Sequence, residues 1–153
     1  MFHMKQEQYN EYLYLLFWYT MFHMKRFTSK TQKTGEYGEK ICKKWLENNG
    51  FKIIDQNYTL TTGEIDIIAQ KNNIMHFIEV KSVSRENNRD VTRETQYNPA
   101  DNMTRSKIKK CQSAMFGYIK SNNVSCETQL DVYLVYIDIL NIKHKIERIE
   151  NIF

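Results

Sequence analysis

The sequence predicts an α/β domain in which a mixed β-sheet is flanked by helices. Two stretches carry apolar residues at helical spacing, one beginning at Gly38 and one at Thr104, and runs rich in β-branched residues follow each of them. The resulting order is helix, three strands, helix, two strands, which is typical of an α/β domain. A chain of 153 residues is long enough for one such domain with a substantial core.

Residues 1–37 are interpreted as an N-terminal extension of a domain at residues 38–153. The segment 12–24 is apolar and aromatic, but its thirteen residues fall short of the roughly 20 that span a bilayer. We therefore expect no stable membrane insertion and interpret the segment as an appended amphipathic or interaction helix. Because the initial Met-Phe-His-Met-Lys recurs at residues 21–25, a native start within that second copy is an alternative.

The first predicted helix spans residues 38–49 and is followed by a strand. Its apolar residues fall on one stripe, which consists of Ile41, Cys42, Trp45 and Leu46. Gly50 is placed to end the helix, because glycine readily adopts the positive φ of a helix C-terminus. Residues 51–58 are rich in β-branched side chains and predict the first strand.

Residues 64–81 predict an antiparallel hairpin around which the domain is organised. Two β-rich runs flank Asn72 and Asn73, and asparagine tolerates the positive φ that a two-residue turn requires. With the turn at this pair, Asp66 lies directly opposite Glu79. Directly opposed residues share one face of a sheet, so the two carboxylates are expected to lie close together.

Lysine joins this acidic pair on the same face. The period of two places Lys81 beside Glu79 and opposite Glu64. Opposed carboxylates with Cβ atoms about 5 Å apart destabilise a strand pair, and bound Mg²⁺ or Mn²⁺ would relieve the repulsion because these cations prefer oxygen ligands. The alternative is a solvated sheet face with a cross-strand ion pair between Glu64 and Lys81.

A polar segment and a basic helix follow the hairpin. Residues 82–103 are poor in core residues and predict a long surface loop. The second helix spans residues 104–121 and has Thr104 as its N-cap. Its apolar stripe consists of Ile108, Cys111, Met115, Tyr118 and Ile119. Arg105, Lys107 and Lys110 crowd its start and are candidates to bind phosphate, the alternative for each being a hydrated surface.

The last two predicted strands form a second hairpin. Residues 130–140 alternate and then become uniformly apolar, as in a buried central strand, and residues 143–150 return through a turn at Asn141 and Ile142. The three cysteines of the chain are far apart, which favours reduced thiols in a cytoplasmic protein over zinc or disulfides. The net charge of +4 permits a polyanionic partner without demanding one.

Several ordered blocks of this sequence resemble the YraN family of predicted endonucleases, which are related to archaeal Holliday junction resolvases. Residues 63–69 and 77–81 resemble the Gly-Glu-Ile-Asp-Leu-Ile-Ala and Phe-Val-Glu-Val-Lys blocks of that family. An acidic residue, a short turn and Glu-x-Lys form the motif of the PD-(D/E)XK nuclease superfamily. Further similar blocks at residues 38–39, 104–107, 130–132 and 146–153 extend the resemblance over residues 38–153.

The resemblance implies a restriction-endonuclease-like core and metal-dependent hydrolysis of phosphodiester bonds, with DNA, and branched or repair intermediates in particular, as the expected substrate. Asp66, Glu79 and the Val80 carbonyl are expected to bind one or two Mg²⁺ or Mn²⁺ ions. Lys81 is expected to stabilise or orient the attacking water.

Two further glutamates and the oligomeric state follow from the same resemblance. In related resolvases a helical glutamate completes the metal site, and the matching position here is Glu39, with Glu36 as the nearby alternative. Glu64 is expected to orient Lys81. Two-fold related resolvases imply a homodimer.

The chain also departs from the family at positions that bear on function. Gln56 and residues 59–62 stand where the family carries basic residues, which weakens any phosphate contact there, and Arg148 replaces a histidine. These departures bear on affinity rather than chemistry. A rival hypothesis is a nucleic-acid-binding module of the same fold without catalysis, in which the acidic patch is vestigial or structural. A third is an adaptor that binds a partner through the N-terminal aromatic helix.

Overall fold

The computed structural model describes residues 30–85, 103–139 and 141–152, and the described residues from Thr34 onward form one compact unit. The predictions for residues 1–29 and for most of the loop at residues 82–103 lie outside the described residues. None of the helices within these ranges is long and apolar enough to cross a membrane. The elements are α1 (Lys30–Asn48), β1 (Lys52–Leu60), β2 (Gly63–Lys71), β3 (Ile74–Arg85), α2 (Arg105–Ser121), β4 (Glu127–Asp138) and β5 (Lys143–Ile149).

The five strands form one mixed sheet in the order β1-β2-β3-β4-β5. Neighbouring strands are antiparallel except β3 and β4, which are parallel. A parallel pair needs a long crossover, and here the crossover contains α2. The prediction of an α/β domain with a mixed sheet and a restriction-endonuclease-like core is confirmed.

Two apolar clusters cover the two faces of this sheet. Cys42 and Leu46 of α1 belong to a buried cluster with Ile78, whereas Cys111 of α2 belongs to a second cluster with Phe77. Since successive strand residues point to opposite faces, α1 and α2 lie on opposite sides of β3. The apolar stripes predicted for both helices are thus the surfaces that each helix buries.

Both turn predictions in the first half of the chain are confirmed. Asn72 and Asn73 have φ values of 50° and 61°, and Lys71 pairs with Ile74 across the turn. Gly50 has a φ of +81° and follows the end of α1. Most residues with a Cβ are strained in this left-handed region, but asparagine tolerates it better than most side chains and glycine has no Cβ, which is why these two residue types occupy the positions.

The helix α1 and the strand β3 are both longer than predicted. The helix begins at Lys30 rather than at Gly38, and β3 continues to Arg85 instead of ending at Lys81, so the prediction that a loop begins at residue 82 was wrong. The two extensions pack on each other, since Ser82 Oγ donates to the Thr34 carbonyl at 3.2 Å. The domain boundary at residue 38 stays a prediction, although α1 runs through it.

Gly63 allows α2 to approach the start of β2. A Cβ at this position would lie 1.9 Å from the backbone oxygen of Lys110, so any larger residue must displace the helix. We expect Gly63→Ala to lower the free energy of unfolding by about 1–3 kcal/mol, the usual cost of overpacking. Urea denaturation measures this change.

Gly35 provides the matched control. It lies within α1, and a Cβ there would meet nothing within 4 Å. Because alanine favours the helix over glycine, Gly35→Ala should stabilise the protein by up to about 1 kcal/mol. Equal stability of Gly63→Ala and the unsubstituted protein would contradict the close approach of α2.

Candidate active site

The candidate site lies where β2 and β3 separate. The ladder between these strands ends at Ile67 and Ile78, while β2 stays paired with β1 as far as Gly63 and β3 stays paired with β4. Asp66 is the next residue of β2, and its Oδ2 accepts a hydrogen bond from the Val80 N–H at 2.7 Å. A carboxylate thus takes the place of a backbone acceptor at the point where the ladder ends.

Glu79 is buried beside this gap and is neutralised by two lysines. Its side chain is only 2% exposed, and its Oε1 contacts Lys81 Nζ at 2.5 Å and Lys107 Nζ at 3.1 Å. The second oxygen, Oε2, accepts from Cys111 Sγ at 3.5 Å. A buried charge needs this kind of pairing, because desolvation without a partner costs several kcal/mol.

Glu64 makes a different ion pair from the one that the hairpin register suggests. Its Oε1 lies 2.7 Å from Lys107 Nζ, whereas Lys81 is paired with Glu79. The predicted pair between Glu64 and Lys81 is therefore not formed. Beyond the end of the ladder β2 no longer runs beside β3, and α2 places a lysine between the two glutamates.

Lys107 is the residue of the site whose contacts sequence reasoning missed. It was predicted to meet phosphate together with Lys110 and Arg105, but the structure brings only Lys107 into contact with the carboxylates, while Lys110 and Arg105 are exposed. A signal was present, because Lys107 precedes Cys111 of the apolar stripe by four residues. Residues four apart share a helix face, so Lys107 also faces the sheet.

Burial and neighbouring charges disfavour the ionised forms of two acidic groups of the site, Asp66 and Glu39. Burial, and then the charge of Glu79, raise the pKa of Asp66 to about 7 against the opposing hydrogen bond from Val80. Burial also raises the pKa of Glu39, and the charges of Glu36, Glu79 and Glu64 raise it further. We call Glu39, Glu64, Asp66 and Glu79 the carboxylate cluster. Glu64 differs from the others, because its hydrogen bond with Lys107 lowers its pKa.

The donor set fits a hard divalent cation that takes few protein ligands. The parts of the chain that the structure describes hold no group of three His, Cys, Asp or Glu side chains placed to bind one metal ion together. Glu39 is therefore not gathered with Asp66 and Glu79 around a common point. Mg²⁺ usually keeps several waters and takes only one or two carboxylates together with substrate phosphates. Asp66, Glu79 and the Val80 carbonyl match that requirement, and the raised pKa of Asp66 marks negative charge that a cation would offset.

A second buried carboxylate, Asp131, lies outside this site and has the opposite electrostatics. It is fully buried and accepts hydrogen bonds from His76 Nδ1 and Arg148 Nη2, both at 2.9 Å, as well as from Gln129 and the Asn151 N–H. Burial alone would raise its pKa, but these bonds lower it to about 2. His76 lies on the opposite strand face from Glu79, so this network is separate from the carboxylate cluster.

Comparison with known proteins gives one consistent family. A model described as "Uncharacterised protein family UPF0102" matches residues 38–139. A UPF0102 protein from Aliarcobacter butzleri is 38% identical over 123 residues, which are 80% of this chain and 97% of that protein. Similar proteins from Sulfurovum and Nitratiruptor species are 33% and 34% identical, over 77% and 80% of this chain and 91% and 95% of their own lengths. None of these names states an activity, and the matched region includes the whole carboxylate cluster.

We expect Asp66→Asn to stabilise the metal-free protein at about pH 8. An unfolded aspartate ionises at about pH 4, whereas the folded pKa is about 7. The favourable contribution of the neutral acid is therefore present at low pH and is lost as the pH rises through about 7. Asparagine keeps an acceptor for the Val80 N–H and removes the charge.

The measurement is urea denaturation in a chelator at about pH 8 and about pH 5. The gain should be up to about 4 kcal/mol at the higher pH and about 1.4 kcal/mol at the lower one, because an unfolded aspartate is already mostly ionised at about pH 5. A loss of stability at about pH 8 would show that ionised Asp66 is not destabilising in the folded protein.

For Asp131→Asn we expect the opposite sign. Since the folded pKa of Asp131 is lowered to about 2, its contribution to stability is present above the unfolded value and is lost as the pH falls through about 2. The variant should be less stable by about 2 kcal/mol near neutral pH, and the difference should shrink as the solution is acidified below about pH 4. Guanidinium denaturation between about pH 7 and pH 3 checks this, and a difference that grows on acidification would contradict it.

Proposed function

This chain belongs to the uncharacterised protein family UPF0102, the YraN family, and we propose that it is a metal-dependent nuclease that hydrolyses phosphodiester bonds in DNA. The observation that carries the proposal is the pair of acids at the split between β2 and β3, the half-buried Asp66 and the buried Glu79, with Lys81 bound to Glu79. Structure alone gives this arrangement no use, since burial and the charge of Glu79 raise the free energy of ionised Asp66. A bound cation would account for the arrangement, because it would offset the charge of ionised Asp66.

The proposed cofactor is Mg²⁺ or Mn²⁺, held by Asp66, Glu79 and the Val80 carbonyl. When bound, such an ion polarises the scissile phosphate and supplies hydroxide at neutral pH. Glu39 is the proposed further ligand from α1; it is not gathered with Asp66 and Glu79 in this structure, so its side chain would have to move toward the ion. Asp66 is fixed for this role by its hydrogen bond from Val80 N–H, which leaves its other oxygen for a ligand.

Lys81 is the residue proposed to act on the attacking water. Its ammonium contacts the buried carboxylate of Glu79, and its side chain is 22% exposed, so it joins the buried acid to the surface that a substrate would occupy. A positioned ammonium stabilises negative charge that develops on phosphate oxygens and orients a water by donating to it. Glu64 supports the site through Lys107 rather than through Lys81.

The start of α2 is the proposed contact for the DNA backbone. Arg105 and Lys110 are exposed there, next to Lys107, and the net charge of the chain is +4. Cations that neutralise phosphates supply much of the affinity of such proteins. We further propose branched or repair intermediates as the substrate and a homodimer as the active form. The buried free thiols of Cys42 and Cys111 suit a reducing, cytoplasmic compartment.

One observation favours a second candidate function, a nucleic-acid-binding module without catalysis. Glu79 is already neutralised by two lysines, so the site is electrostatically stable without a cation. In such a module the acidic residues would only anchor Lys81 and Lys107. Salt-dependent binding of nucleic acid with neither metal uptake nor cleavage would support this alternative.

The test is a cleavage assay over branched, flapped, single-stranded and duplex DNA and over RNA, with Mg²⁺ or Mn²⁺. We expect Asp66→Ala and Lys81→Ala to lower the cleavage rate by at least about 100-fold, because each removes a group that acts on the reacting phosphate or water. Circular dichroism should show both variants folded.

Lys145→Ala is the control for loss of a lysine. Lys145 lies on β5 with its side chain 71% exposed, and it pairs with Glu147 rather than with the carboxylate cluster. Its substitution should leave cleavage unchanged. Full activity in a folded Lys81→Ala protein would remove the nuclease assignment.

A further inference from the structure

Two ammonium groups converge on one oxygen of Glu79, a proposed metal ligand. We propose that Lys107 is the resident counter-ion of this site: it neutralises Glu79 until a divalent cation binds, and it is then released to contact the phosphate of the substrate. This inference rests on the proposed function and extends it to a residue outside the hairpin motif. It assigns to α2 a role in metal binding as well as in DNA contact.

The geometry requires that an ammonium move when a cation binds. Lys81 Nζ and Lys107 Nζ lie 2.5 Å and 3.1 Å from the same Oε1 of Glu79, and these contacts engage both lone pairs of that oxygen. The other oxygen, Oε2, faces the buried thiol of Cys111. A cation that binds Oε1 must therefore displace one of the two lysines.

Lys107 is the lysine that can leave at the lower cost. Its contact with Glu79 is the longer of the two, and it keeps a second partner, Glu64, at 2.7 Å. The side chain of Glu64 is 57% exposed, so this second ion pair lies at the surface of the site. Lys81 contacts only Glu79 among the ion pairs of the described residues, so its departure would leave a half-buried ammonium without an ion-pair partner.

Released Lys107 would be well placed for an incoming phosphate. It lies in the first turn of α2, where its backbone N–H is held by the N-cap Thr104, so the stem of its side chain is fixed relative to Glu64 and Glu79. The close packing of α2 against Gly63 also fixes the position of this helix relative to β2. Exchange of Lys107 for a cation at Glu79 would then couple metal binding to phosphate binding through one side chain.

Calorimetry with Mn²⁺, in the absence of nucleic acid, tests this exchange in the full chain. Because Lys107→Met removes the competing ammonium, it should lower the Kd for Mn²⁺ by about tenfold. Lys107→Arg keeps the charge and should bind Mn²⁺ as the unsubstituted protein does. Lys120→Met removes an exposed lysine from the last turn of the same helix and should also leave the Kd unchanged.

A second variant gives the opposite sign and guards against misfolding of Lys107→Met. Glu64→Gln alters an exposed side chain and leaves Lys107 with Glu79 as its ion-pair partner, so Mn²⁺ binding should weaken. In the metal-free state Lys107→Met should also lower the melting temperature, and saturating Mn²⁺ should raise it more than in the unsubstituted protein.

The outcomes separate this inference from the proposed function. Unchanged or weaker Mn²⁺ binding by folded Lys107→Met, or tighter binding by Glu64→Gln, overturns the counter-ion role while leaving a metal-dependent nuclease intact. The expected affinity changes without cleavage of any nucleic acid support the counter-ion role and overturn the nuclease. Failure of the unsubstituted protein to bind Mn²⁺ overturns both.

Discussion

The hydrogen bond from the Val80 N–H to Asp66 is the contact on which the candidate site depends. It lies at the point where β2 leaves β3, and it allows β3 to continue alongside β4 without an unpaired donor facing the gap. A backbone acceptor would have closed the ladder and filled this space with sheet. A side-chain acceptor instead keeps the strands apart and holds a carboxylate between them, next to Glu79.

Two aspartates, the fully buried Asp131 and the half-buried Asp66, have opposite electrostatic environments in this fold. Asp131 is surrounded by donors from His76, Arg148, Gln129 and the backbone, and its pKa falls to about 2. Asp66 has one donor and two acidic neighbours, and its pKa rises to about 7. Asp131 links β3, β4 and β5 through its hydrogen bonds. The ionised form of Asp66, in contrast, would be stabilised by an added positive charge.

The sequence predicts the hairpin of the site well because its information is local. Asn72 and Asn73 fix the turn, the turn fixes the register, and the register brings Asp66 near Glu79. The predicted ion pair between Glu64 and Lys81 is wrong because it extends the β2–β3 register beyond the end of the ladder. There β2 is paired only with β1. The contacts of Lys107 depend on where α2 packs, and the early start of α1 depends on Thr34 meeting Ser82 and Ser84 from the far end of β3. Both are long-range contacts: the helical spacing from Cys111 indicates that Lys107 faces the sheet, but no local pattern identifies the residues that it meets there.

The charge on Asp66 is the part of the structure that folding does not explain. An asparagine would accept the same hydrogen bond from Val80, and it would avoid the repulsion from Glu79 that raises the pKa of the acid. Departures of this kind from the most stable choice concentrate at functional sites, where the strained or charged group serves binding or chemistry. A site that exchanges the Lys107 ammonium at Glu79 for a divalent cation needs a second ionisable carboxylate beside it, and Asp66, held in the gap between the strands, is placed to be that carboxylate.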